Sequence, residues 1–131
     1  MIFSFVKYQG TGNDFVLIDN RDKQFPIDNY AAVAQICHRN FGIGADGFIL
    51  IESDDSSDFY MRYFNADGHE GSLCGNGSRC AIHFAKSLGH TSDKVVFRTS
   101  DGLHKANCIA DQVALELYSV SQWEKREDAI F

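Results

Sequence analysis

Apolar residues recur at helical spacing in only two stretches of this 131-residue chain, and that scarcity bounds what it can fold into. In one stretch Ala81, Phe84, Ala85 and Leu88 fall at i, i+3, i+4 and i+7, with Gly89 placed to cap the end. In the other, Tyr30, Val33, Ala34 and Cys37 share a helical face, with Pro26-Ile27-Asp28 as the start and Arg39-Asn40 near the stop. The remaining apolar residues come in short runs of strand type. These are Ile2–Tyr8, Phe15–Ile18, Phe48–Ile51, Phe59–Phe64, Lys94–Thr99, Leu103–Ile109 across an Asp101-Gly102 turn, and the alternating Val113, Leu115 and Leu117. The Gly10–Asp14 turn between the first two reads as long for a tight hairpin. Two helices against six to eight strands, mostly neighbours in sequence, predict one α+β lobe with a largely antiparallel sheet.

Charge and composition narrow the function. With 12 Lys plus Arg against 18 Asp plus Glu, the net charge of −6 argues against nucleic acid or an anionic membrane as partner. An apolar fraction of 44% argues against disorder. No run approaches the ~20 apolar residues of a membrane span, and the amino end lacks the zones of a signal peptide, so a cytoplasmic location is expected. Cys37, Cys74, Cys80 and Cys108 are expected as free thiols, Cys80 and Cys108 as small core residues. From Ser121 a charged tail turns apolar at Ala129-Ile130-Phe131, so residues 1–120 are expected to form the lobe and 121–131 a tail or the start of a linker.

Two further motifs have the letters of a binding site without its context. Gly42-x-Gly44-x-x-Gly47 matches the dinucleotide fingerprint in letters, but it follows a helix and precedes a strand, so its amides cannot be aimed at a pyrophosphate from a helix start. It reads instead as a turn that needs positive φ at glycine. Cys74, Cys80 and His83 lack the paired spacing of a zinc site, and the five histidines show no common partner, so no metal is expected.

The informative stretch runs from Asn65 to Gly77. Cys74 immediately precedes the second helix, where unpaired amides and the positive end of the dipole favour a thiolate. Neighbouring glycines let another molecule approach the backbone, and the same amides suit a carboxylate. A buried thiol at a glycine-rich turn is the alternative reading of Cys74.

Four segments together resemble one family: Gly10-Thr11-Gly12-Asn13-Asp14-Phe15, Arg39-Asn40-Phe41-Gly42-Ile43-Gly44-Ala45-Asp46-Gly47, Arg62-Tyr63-Phe64-Asn65-Ala66-Asp67-Gly68 and Cys74-Gly75-Asn76-Gly77-Ser78-Arg79-Cys80. In order and spacing, over about residues 1–120, they resemble the amino-terminal lobe of diaminopimelate epimerase. The resemblance implies a largely antiparallel sheet curled around a helix. It also implies an isomerase that inverts an α-carbon without pyridoxal phosphate or metal, using a thiolate and a thiol on opposite faces. By motif position the resemblance implies that Cys74 is one of the two acid/base cysteines, that Asn13, Asn65, Gly75 and Asn76 bind the substrate, and that Asp46 and Arg79 support the loops.

Family members are roughly twice this length and carry the partner cysteine in a second lobe. Either the chain is part of such an enzyme, or a one-lobe protein meets its second cysteine in another subunit, a homodimer being expected. Two other functions stand beside the epimerase: an inactive lobe serving as a binding or assembly module, and a related isomerase acting on another carboxylate.

Overall fold

The computed structural model describes residues 3–10, 12–72, 75–109 and 112–116. Its elements run β1 (Val6–Gly10), β2 (Asn13–Asp19), α1 (Tyr30–Cys37), β3 (Gly47–Glu52), β4 (Phe59–Asn65), α2 (Gly75–Ser87), β5 (Lys94–Thr99), β6 (Gly102–Ile109) and β7 (Gln112–Glu116). The seven strands form one sheet in chain order. Pairs β1–β2, β3–β4, β5–β6 and β6–β7 are antiparallel. The pairs β2–β3 and β4–β5 are parallel because a helical connection, α1 or α2, returns the chain to the same end. The α+β lobe with a largely antiparallel sheet is therefore what the chain forms.

Alternation along the strands splits the core between two faces. On one, Phe15, Leu17, Ile49, Ile51, Met61 and Phe97 pack with Ala81, Ile82, Phe84 and Ala85 of α2. On the other, Val16, Ile18, Phe48, Leu50 and Phe64 pack with Val33 and Cys37 of α1. Strand β3 is buried at every position, which is why Phe48–Ile51 is an unbroken apolar run, while the buried Glu52 at its end is paired with Arg62. Helix α2 touches β1, β2, β3, β4 and also β7, so the sheet curls around it until both edge strands reach it.

Three boundaries differ from expectation. The first strand starts at Val6, because the Phe3 ring turns to Phe25, 5.2 Å away, on the α1 face instead of joining the ladder. The first hairpin is tight: β1 and β2 pair out to Gly10 and Asn13, with Gly12 at φ +90° accepting the reversal. Helix α1 is capped by Asn29, whose side chain accepts the Ala32 N–H at 3.0 Å, and it ends at Cys37. The expected Gly89 cap holds, at φ +80°. Leu117 and residues 121–131 lie outside the described residues.

The glycines of the 42–47 motif serve different ends. Gly44 has φ +86°, as a turn requires. At Gly42, however, a Cβ would stand 1.9 Å from the Gln35 carbonyl oxygen, and at Gly47 it would stand 2.8 Å from the Tyr63 ring. Those two are glycine because backbone and ring pass too close for any side chain.

Candidate active site

The tight first hairpin, the parallel β2–β3 pair and the β3–β4 hairpin bring three motifs to one end of the sheet. Asn13 opens β2, Gly47 opens β3 opposite Phe15, and Asn65 closes β4 opposite Gly47. Helix α2 begins at the same end with Gly75 and Asn76. Cys74, the residue expected to do acid/base work, lies outside the described residues.

The start of α2 carries no acidic residue in its first turn, so no side-chain carboxylate there offsets the positive end of the dipole. Gly75 and Asn76 are half-buried and Gly77 is buried. The Asn76 Nδ2 donates to Asn13 Oδ1 at 2.8 Å, joining the helix start to the strand start. Asn13 Nδ2 in turn donates to Asp46 Oδ2 at 3.3 Å.

Asn65 stands apart from this pair, two strands away. Its N–H donates to the His69 carbonyl and its carbonyl accepts the Gly68 N–H, closing the 65–69 turn. A Cβ on Gly71 would lie 2.9 Å from Asn65 Nδ2, so that glycine makes room for the exposed asparagine side chain. The four described candidates thus share one end of the sheet, with Asn13 and Asn76 in contact.

Behind Asn13 is an ionic cluster that sequence reasoning credited only in part. Arg39 donates from Nη1 and Nη2 to the two Asp14 oxygens at 3.0 and 2.7 Å, and from Nη2 to Asp46 Oδ1 at 3.1 Å. Lys7 Nζ lies 3.2 Å from Asp14 Oδ2. The guanidinium holds the Asp14 carboxyl well below the usual carboxylate range, against a smaller opposing effect of burial. Asp46 supports the loop, as expected; Asp14, Arg39 and Lys7 were missed. The signal was present for two of them, since Asp14 and Arg39 stand inside the motifs already singled out.

The other cysteines serve the core. Cys37, Cys80 and Cys108 are buried. Burial pushes the Cys37 thiol up to about 11, so it stays protonated at neutral pH. The histidines are dispersed: His83 Nδ1 meets the Tyr8 hydroxyl at 2.8 Å, His104 Nε2 meets Thr99 Oγ1 at 2.9 Å, and the His69 ring lies 4.6 Å from that of Tyr30. Among the described residues no three His, Cys, Asp or Glu side chains come together as a metal site, and no helix is long and apolar enough to cross a membrane.

A family model described as diaminopimelate epimerase matches residues 5–121. The diaminopimelate epimerase of Flavobacterium psychrophilum is 47% identical over 126 residues, covering 95% of this chain and 49% of that protein. The enzyme of the same name from Aquifex aeolicus is 44% identical over 111 residues, covering 78% of this chain and 40% of its own. The chain spans about half the length of the first of these relatives, or less for the second. Among solved structures, a phenazine biosynthesis protein of the PhzF family from Enterococcus faecalis superposes with TM-score 0.69 at 14% identity, over 88% of this chain and 44% of that one. A hydroxyproline epimerase from Agrobacterium vitis superposes with TM-score 0.61 at 15% identity, over 85% of this chain and 40% of that one. At such identities the likeness is one of fold.

Proposed function

The chain belongs to the diaminopimelate epimerase family, and from that premise we propose that it is the first lobe of an enzyme interconverting LL- and meso-diaminopimelate by proton transfer between two cysteines. The observation that carries the reading is the 2.8 Å contact between Asn76 and Asn13. It sets two amide side chains beside the amino end of α2, next in the chain to Cys74.

Inversion at carbon needs a base on one face and an acid on the other, each with a pKa near the working pH. Cys74 as thiolate removes the α-proton, and a thiol on the opposite face returns one to the carbanion; in the reverse direction the two exchange roles. Thiols suit both duties because their ordinary pKa of ~8.5 falls at a helix amino end. The amides of Gly75 and Asn76 take the substrate carboxylate, where charge grows as the proton leaves. Asn13 and Asn65 hold its remaining polar groups.

The second cysteine comes from the further length that relatives of this chain possess, or from a second copy across a two-fold axis. An inactive lobe that only binds or assembles is the competing reading. NMR of LL-diaminopimelate in D₂O with the 131-residue chain separates them: loss of the α-proton signal that Cys74→Ala abolishes supports the epimerase. Exchange accompanied by the meso isomer places a second thiol in reach. No exchange by the chain, alone or joined to a second lobe from a relative, would overturn the proposal.

A further inference from the structure

The hydrogen bonds around Asn13 carry a consequence for which way its amide faces. An asparagine amide can be turned over at almost no cost when its neighbours are themselves amides or hydroxyls, since each can reverse in step. Asn13 and Asn76 are such a pair. The degeneracy is broken at the other end of the chain of bonds, where Asp46 Oδ2 accepts both from Asn13 Nδ2 at 3.3 Å and from the Asp14 N–H at 3.1 Å. A carboxylate only accepts, so Asn13 must turn its NH₂ to Asp46 and its oxygen to Asn76. Asn76 must then donate.

We propose that Asp46 is a positioning residue that fixes the facing of Asn13 and, through it, of Asn76, so that Asn13 turns its oxygen to Asn76 and the second N–H of the Asn76 amide is held for an anionic ligand at the amino end of α2. The inference rests on the reading of this site as a substrate site. Arg39 is the outer anchor: its Nη2 holds Asp46 Oδ1 at 3.1 Å while the guanidinium grips Asp14, which keeps Oδ2 turned to Asn13. Replacing the Asp46 carboxylate by an amide of equal size keeps the loop filled yet restores the ambiguity, because an amide can offer Asn13 either an oxygen or an NH₂.

Side-chain amide NMR of the ¹⁵N-labelled chain tests this without any ligand. In Asp46→Asn, the NH₂ resonances of Asn13 and also of Asn76, which Asp46 does not touch, are expected to shift, with amide exchange at Asn76 roughly fivefold faster, the protection that one ordinary hydrogen bond supplies. Asn13→Ala should release Asn76 equally, and adding Asp46→Asn to it should change Asn76 no further. Shifts confined to residues 38–46, with Asn76 unmoved, would mean that Asp46 is only a loop support and would overturn the proposal.

If Asp46→Asn does not fold, Arg39→Lys asks the same question one link farther out. It keeps the charge but loses the fork, and Asn13 and Asn76 should still move; silence at both would again overturn the relay. Titration with diaminopimelate then separates the two levels. Where the wild type binds, Asp46→Asn should weaken binding as much as Asn13→Ala and the pair no more than either; additive losses contradict the relay. Failure of the wild type to bind counts against the substrate reading alone, since the ligand-free resonances already decide the relay.

Discussion

Asp14 and Asp46 hold each other's backbone: the Asp14 N–H donates to Asp46 Oδ2 at 3.1 Å, and the Asp46 N–H donates to Asp14 Oδ1 at 3.0 Å. The Asp46 N–H also lies 2.9 Å from the Asp14 carbonyl. Two carboxylates this close repel unless cations stand between them, and Arg39 and Lys7 supply the compensation. The result ties the start of β2 to the entry of β3, the two strand ends beside which Asn13 stands.

Acid should loosen this clasp. The Asp14 carboxyl is held below its ordinary value of 3.8 by Arg39, so the folded state binds its proton less readily than the unfolded one. Its contribution is complete above 3.8 and is lost as pH falls below that value. In urea unfolding, Asp14→Asn should be less stable than wild type at neutral pH, and the gap should narrow as the solution is taken below 3.8. A gap unchanged with pH would refute the clasp.

A second acid response belongs to β6. Burial holds His104, on the Thr99 hydroxyl, below the ordinary histidine value of 6.5, so the fold favours its neutral form. Stability should be complete above 6.5 and decline below it. His90, also lowered by burial, acts with the same sign, so His104→Leu should flatten part of the decline, at a cost of about 1 kcal/mol for the lost bond to Thr99. Melting temperatures of the two proteins between pH 5 and 8, the range in which histidine changes charge, check this.

The glycines at the sheet end should differ sharply in tolerance. Gly12 has φ +90° and nothing within 4 Å of where a Cβ would be, so Gly12→Ala should cost about 1–2 kcal/mol for backbone conformation alone. Gly68 has φ +93°, and its Cβ would meet the Tyr30 carbonyl oxygen at 2.1 Å, a backbone atom that cannot step aside. Gly68→Ala should cost a further 1–3 kcal/mol, roughly, as overpacked sites do. Denaturant midpoints of the two variants would rank them.

Thiol titration should divide the four cysteines. Cys37, buried with its thiol pushed up to about 11, and the buried Cys80 and Cys108 should react with an aromatic disulfide only on unfolding. The function proposed above expects Cys74 to react in the native state and to be shielded by diaminopimelate. A rapid reaction that survives Cys74→Ala would remove its basis.

The aromatic stack beneath α2 should dominate stability. Phe97 lies 5.3 Å from Phe59 with the rings nearly parallel at 9°, and both are fully buried. Phe97→Ala should cost about 3–5 kcal/mol. Calorimetry would read it as a drop in melting temperature, while a loss below 1 kcal/mol or so would mean the site collapses around the missing ring.

Much of this architecture was legible because it is written in local periodicity. The alternation of β5, the continuous apolar run of β3 and the i, i+3, i+4, i+7 face of α2 each require one period and one buried side, so their type and approximate bounds follow from the residues themselves. Cys74, Asn13, Asn65, Gly75 and Asn76 were singled out by motif for the same reason: short glycine-rich segments of fixed order survive as patterns in one dimension.

Phe3 against Phe25, the tight closure at Gly10 and Asn13, and Gly42 pressed on Gln35 were not legible, because each depends on which distant residue occupies the neighbouring space. The same holds for the ion cluster. Residues 14, 39 and 46 were in view as letters, but only the parallel pairing of β2 with β3, enforced by α1 between them, places two carboxylates within reach of one guanidinium. The amino-acid sequence alone determined the elements and the chemical types available at the sheet end, because those follow from side-chain period and helix-end electrostatics. The tertiary structure alone decided that Asp46 faces Asn13 and Asn13 faces Asn76, because hydrogen-bond direction is set by what stands opposite, across a separation of 63 residues in the second case.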